Sequence, residues 1–438
     1  MRGRILGVLL SACAAAVVES QSRPLVAPAA APAYARLLQQ IEKIKLFDHH
    51  AHPALPDDAD VDIAPPPPGG TPLRMRDENP ETSAAARALF GFPFSDMKGA
   101  HGQWLVDKKA ALKKQFAGAK YFNEMLDRLG IETSLANRVA MAPYLDPARF
   151  KWVFFVDCYM FPFDNSGIAS RNSDEAVYMP LQAKLRRQYE QALGIEALPP
   201  TFDGYLSFVS RSLSANQMRG GVAVKFEAAY FRSLSFDDPS RDTAASIYEK
   251  YRRGGTPTAD EYKIFQDFIF RHIASEAGTL HLPVHIHTSV GGGDYFNLRG
   301  VNVLNLESVL RDPRYASTTF VLIHGGYPFY REAILLATMK NVYLDSSSTE
   351  LILYPTEFKN VLRYWLETFP EKVTFGTDAY PYNAALGVEE VYWIGVHTSR
   401  TALAAALAEM ISAREISEPR ALEIARAYLH DTAAALYK

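Results

Sequence analysis

Three residues alternate at the end of an apolar run: Asp48, His50 and His52 in KIKLFDHHAHP. On an extended strand successive side chains turn to opposite faces, so these three point one way and His49 the other. Two imidazoles and a carboxylate on one face form a donor set for zinc or a related divalent ion, because neutral imidazole ligates such metals readily. Hydrogen-bonded surface histidines would look the same in sequence, and the run alone leaves the two readings even.

Later in the chain, single polar residues close otherwise apolar runs: Lys225 in GVAVKF, His287 in LPVHIH, His324 in FVLIH, Asp345 in VYLD and Asp378 in FGTD. Each has an ordinary explanation by itself. Lys225 could snorkel to the surface, His324 could serve the turn at Gly325 and Gly326, and Asp378 could cap a helix. His285 and His287 share a face, so one could ligate metal while the other lies a layer deeper and makes a core hydrogen bond. Coincidence does not account for all of them arriving in this order at the ends of successive strands.

The elements that must position these residues are short β-rich runs separated by helical stretches, a rhythm that predicts parallel strands joined by helices. Eight such runs are present, beginning with IKLFDHHAH and ending with KVTFGTDAY. The expected fold is therefore α/β, a (β/α)8 TIM barrel whose active site collects at the C-terminal strand ends. An open doubly wound sheet is disfavoured, because no Gly-rich phosphate fingerprint follows an early strand. Residues 46–438 are expected to form the barrel. A helical insertion over about residues 54–128, straight after the first strand, would sit at the mouth of the site.

With 438 residues, 48% of them hydrophobic, the chain can bury a large core. A formal net charge of -3 does not suggest binding to nucleic acid. Residues 1–22 place Arg2 and Arg4 before a short apolar run and then small residues, the pattern of a secretory signal. A lipoprotein signal ending before Cys13 is the weaker form of the same expectation, and a lipidated Cys13 would be the only membrane anchor. The mature protein is expected to be periplasmic or extracellular. A linker and a leading helix fill residues 23–45. With Cys158 as the other cysteine, no internal disulfide is expected.

The ordered set HxH, Lys, His, His, Asp resembles the amidohydrolase superfamily of metal-dependent hydrolases, and its spacing resembles the amidohydrolase-related group, amidohydrolase 2. Within that group, KFEAAY at Lys225–Tyr230, LPVHIHTSVGGGDYFNL and VLIHGGYPFYREAILLATMKNVYLDSSS are similar to the nodulin-like amidohydrolase domain fused to glutamine synthetase-like proteins. The resemblance implies that His50 and His52 hold the more buried metal. It implies that His287 and His324 serve a second metal or the substrate, with His324 also catalytic, and that Asp378 is both ligand and general base. Lys225 matches the position of a carboxylated lysine that bridges two ions in binuclear members, and Glu227 on the same strand face is the alternative bridge. One or two ions are therefore expected. His285 stands where relatives carry a neutral polar residue, and Arg232 is displaced from its expected place beside a tyrosine.

The chemistry is that of an ion that lowers the pKa of bound water from about 15.7 toward about 7 and polarises a carbonyl. Asp345, Tyr327 and Arg331 are candidates to support the site from behind, and Arg232, Arg299, Tyr327 and Arg331 are candidates to bind a small, carboxylated substrate. The leading expectation is hydrolysis of an amide or peptide-like C–N bond. Non-oxidative decarboxylation on the same barrel is the alternative, and a non-catalytic metal-binding barrel the third reading. A homo-oligomer is compatible with all three.

Overall fold

The computed structural model describes residues 25–60, 62, 72–116, 118–170, 174–288 and 297–437. The signal expected over residues 1–22, with its Cys13, lies outside them. No helix of the described residues is long and apolar enough to cross a membrane.

Eight parallel strands form one sheet in sequence order: β1 (Leu46–Ala51), β2 (Ile131–Asn137), β3 (Phe150–Phe155), β4 (Gly221–Phe226), β5 (Val284–His287), β6 (Phe320–Ile323), β7 (Val342–Asp345) and β8 (Val373–Thr374). Their residues are buried almost throughout, as expected of strands covered on both sides. The sheet curls until β8 and the segment after it meet β1. There the His49 N–H donates to Phe375 O at 2.9 Å, the Asp378 N–H to His50 O at 2.7 Å and the His52 N–H to Ala379 O at 2.8 Å. Gly376 permits this approach, since a Cβ there would collide with Asp345 Oδ2 and crowd the His50 amide. The result is a (β/α)8 barrel.

Between β1 and β2 the chain forms helices Pro80–Phe90, Ala100–Gln115 and Lys120–Leu129. Arg74 is buried and pairs with Glu81, and it donates to the carbonyls of Glu350 and Leu353 and to Thr398 Oγ1. Lys109 reaches Glu389 at 3.3 Å and Glu390 at 2.5 Å on helix Val388–Ser412. These buried charges fasten the excursion to segments that follow β7 and β8.

Inside the barrel, Phe47, Leu135, Val153 and Ala223 pack with Ala433 of the C-terminal helix Thr432–Leu436. Tyr437 continues this plug, its ring stacked on Phe47 at 5.9 Å.

The strict alternation expected for Asp48, His50 and His52 is not kept. Pairing with β2 runs Asp48 to Ser134 but Ala51 to Ala136, three steps against two, so the strand is irregular between them. Asp48 accepts from Ser134 Oγ at 2.6 Å and from the Thr377 N–H at 2.7 Å, apart from the two histidines it was expected to join.

Candidate metal centre

His50, at the end of β1, and His52, just beyond it, meet Asp378 from the segment after β8. Their ligand atoms all lie within 4.8 Å of one another. His50 Nε2 is 3.3 Å and His52 Nε2 3.5 Å from the same oxygen, Asp378 Oδ1. Two imidazole nitrogens and a carboxylate oxygen converging on one point fit a divalent ion. Burial, with Lys225 beside it, holds His50 well below the ordinary imidazole range, so it is neutral as a ligand must be. Burial opposes the charge of His52, but Asp62 and Asp378 outweigh it and push its pKa up to about 9. Burial pushes Asp378 up, yet His324, His50 and His52 outweigh that and hold it well below the usual carboxylate range.

His324 and His287 form a second group. His324 Nε2 lies 3.1 Å from His287 Nδ1, and the rings of His50 and His324 are 5.3 Å apart. His324 Nδ1 is 3.0 Å from the Ser347 carbonyl, and the Ser347 N–H donates to Asp345 Oδ1 at 3.0 Å. A proton on Nδ1 directed at that carbonyl leaves the Nε2 lone pair facing the site. Asp345 thus acts from behind His324 through Ser347. Both His324 (φ 67°) and Asp378 (φ 49°) adopt left-handed backbone, a conformation costly for residues other than glycine and concentrated at functional sites.

Lys225 is fully buried at the end of β4, its Nζ 3.4 Å from His50 Nε2 and 3.9 Å from Glu227 Oε1. Burial, then the neighbouring Asp62, pushes Glu227 well above its ordinary range. Asp62 was not singled out in the sequence, yet its Oδ2 lies 3.0 Å from His52 Nδ1. The signal that could have found it is the alternation of Asp58, Asp60 and Asp62 within a stretch taken for a plain loop.

The paired histidines of β5 separate by layer. His287 lies beside His324 and the Tyr230 ring, 4.5 Å away. His285 sits deeper, its ring stacked 4.7 Å from His49 and its Nε2 2.5 Å from the Tyr437 hydroxyl. Of the four residues expected to bind substrate, Arg232 is engaged with Asp267 at 2.6 Å and Gln266 at 3.0 Å. Arg331 is exposed, stacked on Tyr330 and Tyr364, and Arg299 is exposed as well. Tyr327 shares a turn with His324, donating its N–H to the His324 carbonyl at 3.1 Å. Among the described residues, no hydrogen bond or ion pair joins the three arginines to the histidine cluster. Tyrosines surround it instead: Tyr380 packs 5.7 Å from His52, and Tyr178 6.0 Å from Tyr230.

Comparison with known proteins places this geometry in context. The amidohydrolase family model matches residues 219–438. Protein fluG of Emericella nidulans is 28% identical over 158 residues, covering 36% of this chain and 17% of that protein. This chain thus matches less than a fifth of that relative's length. A protein assigned as a metal-dependent hydrolase from Lactobacillus casei ATCC 334 superposes with a TM-score of 0.61 at 18% identity, over 92% of this chain and 97% of its own. Glucuronate isomerase from Caulobacter crescentus superposes with a TM-score of 0.63 at 14% identity, over 94% and 96%. At these identities the likeness is one of fold, and the fold carries both hydrolase and isomerase chemistry.

Proposed function

Since the chain belongs to the amidohydrolase family and is a metal-dependent enzyme of that superfamily, we propose that it hydrolyses a C–N bond, amide or peptide-like, in a small substrate. The observation that carries this reading is the convergence of His50, His52 and Asp378 on one buried point. A divalent ion, zinc in this reading, would be held there and would supply Lewis acidity, activating water near neutral pH and polarising the carbonyl.

The chain's own groups account for the proton movements. Asp378, kept as a carboxylate, takes the proton of the attacking water as oxygen bonds to the carbonyl carbon. It returns that proton to the departing nitrogen as the C–N bond breaks. His324, fixed from behind by Ser347 and Asp345, presents the Nε2 lone pair toward the same space, where it can ligate a second ion or accept a hydrogen bond from water. The position of Lys225 beside His50 supports a role in that second ion's binding as a carbamate, since an ammonium offers no acceptor.

Arg232 is engaged by Asp267, so recognition of an anionic group would fall to Arg299 or Arg331 at the surface. The test is a panel of small amides, peptides and aromatic acids offered to zinc-loaded protein, with amine or ammonia and carbon dioxide both measured. Amine release supports hydrolysis. Carbon dioxide release without amine would replace it with decarboxylation.

A further inference from the structure

Asp62 lies in the stretch between β1 and helix Pro80–Phe90, far in sequence from every other group at the centre except the β1 histidines. Its Oδ2 is 3.0 Å from His52 Nδ1, and the side chains are 5% and 6% exposed. The opposite edge of the same ring places Nε2 3.5 Å from Asp378 Oδ1. One imidazole is therefore held between two carboxylates, one at the converging point and one behind it.

The backbone from Pro53 to Asp60, two residues before Asp62, is pinned in place. Asp58 pairs with Arg138, just after β2, at 2.6 Å, and Arg138 also donates to the Pro53 carbonyl at 2.6 Å. The Val139 N–H donates to Asp60 O at 3.1 Å. The carboxylate behind His52 is thus delivered by a fastened segment. Among the described residues neither buried Nδ1, of His50 or of His52, makes a regular hydrogen bond; what sets His52 apart is the carboxylate oxygen of Asp62, 3.0 Å from its Nδ1. Both Nε2 atoms face Asp378, and the carboxylate at the Nδ1 edge belongs to His52.

We infer that Asp62 is a positioning residue for metal binding, keeping the proton of His52 on Nδ1 and turning Nε2 toward the ion shared with His50 and Asp378. An imidazole carries one proton when neutral, and a carboxylate near one nitrogen decides which nitrogen keeps it. Groups that orient a metal-ligating histidine in this way contribute about 10–100-fold to metal affinity. Glu227 shares a cluster with His52 and Asp62, one ligand atom of each lying within 4.8 Å of the others.

This inference rests on the metal reading above, and the two fail separately. Zinc affinity is measured by competition with a chromophoric chelator for wild type, Asp62→Ala and Asp62→Asn, alongside zinc content per chain and thermal unfolding of each metal-free protein. Asp62→Ala is expected to bind zinc about 10–100-fold more weakly at unchanged stoichiometry. Asp62→Asn, which keeps an acceptor oxygen, should fall between, and it serves as the test if the alanine variant unfolds. Wild-type affinity in both variants overturns the inference. Loss of one ion per chain also overturns it, by making Asp62 a ligand of a second cation with His52 and Glu227. A wild-type chain that binds no divalent ion sinks the metal reading itself.

Discussion

The Tyr437 hydroxyl lies 2.6 Å from His49 Nε2, linking a residue near the C-terminus to the strand that carries the metal ligands. The same hydroxyl lies 2.5 Å from His285 Nε2, so one phenol satisfies two buried imidazoles beneath the metal centre. Tyr437→Phe keeps the ring packed on Phe47 but strips both histidines of that partner. Buried polar groups left unpaired cost about 1–3 kcal/mol each, so the variant should lose stability of that order in urea unfolding. Unfolding at the wild-type midpoint would show that the hydroxyl contributes nothing.

His50→Ala and His52→Ala should each abolish zinc uptake and turnover while circular dichroism and gel filtration stay those of the native chain. Both residues lie at or beyond the end of β1, outside the apolar layers that hold the barrel together. Full zinc content with full activity in either variant would remove the pair from the metal centre.

Lys225 separates one-ion from two-ion chemistry. If it is carboxylated and bridges two ions, Lys225→Ala should drop the metal count from two to one, with partial recovery in added bicarbonate or short carboxylic acids. Elemental analysis of the purified variant decides this, and an unchanged metal count retires the bridging role.

Asp378→Asn keeps size and shape but removes basicity. With a substrate established, kcat should fall by roughly 10²–10⁴-fold. Zinc content should fall less than in the histidine variants, because both imidazoles remain. A kcat close to wild type would move the general base elsewhere.

Lys109 is buried between Glu389 and Glu390 and donates to the Ala385 carbonyl at 2.9 Å. Lys109→Met leaves two carboxylates buried without their cation, a change that costs about 3–5 kcal/mol. Burial pushes Glu389 up, but Lys109 and Lys113 outweigh it and hold the group below its ordinary range. A depressed carboxyl stabilises the fold above its unfolded pKa and loses that contribution as pH falls through the folded value. Without Lys109 the burial is largely unopposed, so the carboxyls of the variant should titrate above their unfolded pKa, and its deficit should be largest near pH 8 and shrink toward pH 5 as they take up protons. Chemical denaturation across that range would reject the pairing if the deficit were independent of pH.

Eight strands, their order and the polar residues that close them were legible in the amino-acid sequence. Those properties follow from local patterning: apolar β-rich runs end in His, Lys or Asp, and a barrel places its strand ends on one rim. Side-chain direction was less legible. A three-against-two register between β1 and β2 turned Asp48 away from His50 and His52, and such an irregularity depends on the neighbouring strand rather than on the run itself. Packing across the barrel set His287 against His324 and His285 against His49 and Tyr437, and it engaged Arg232 with Asp267. It alone brought Asp62 to His52, because a loop's path is set by distant anchors such as Arg138, and a period-based reading carries no information about contacts across the fold.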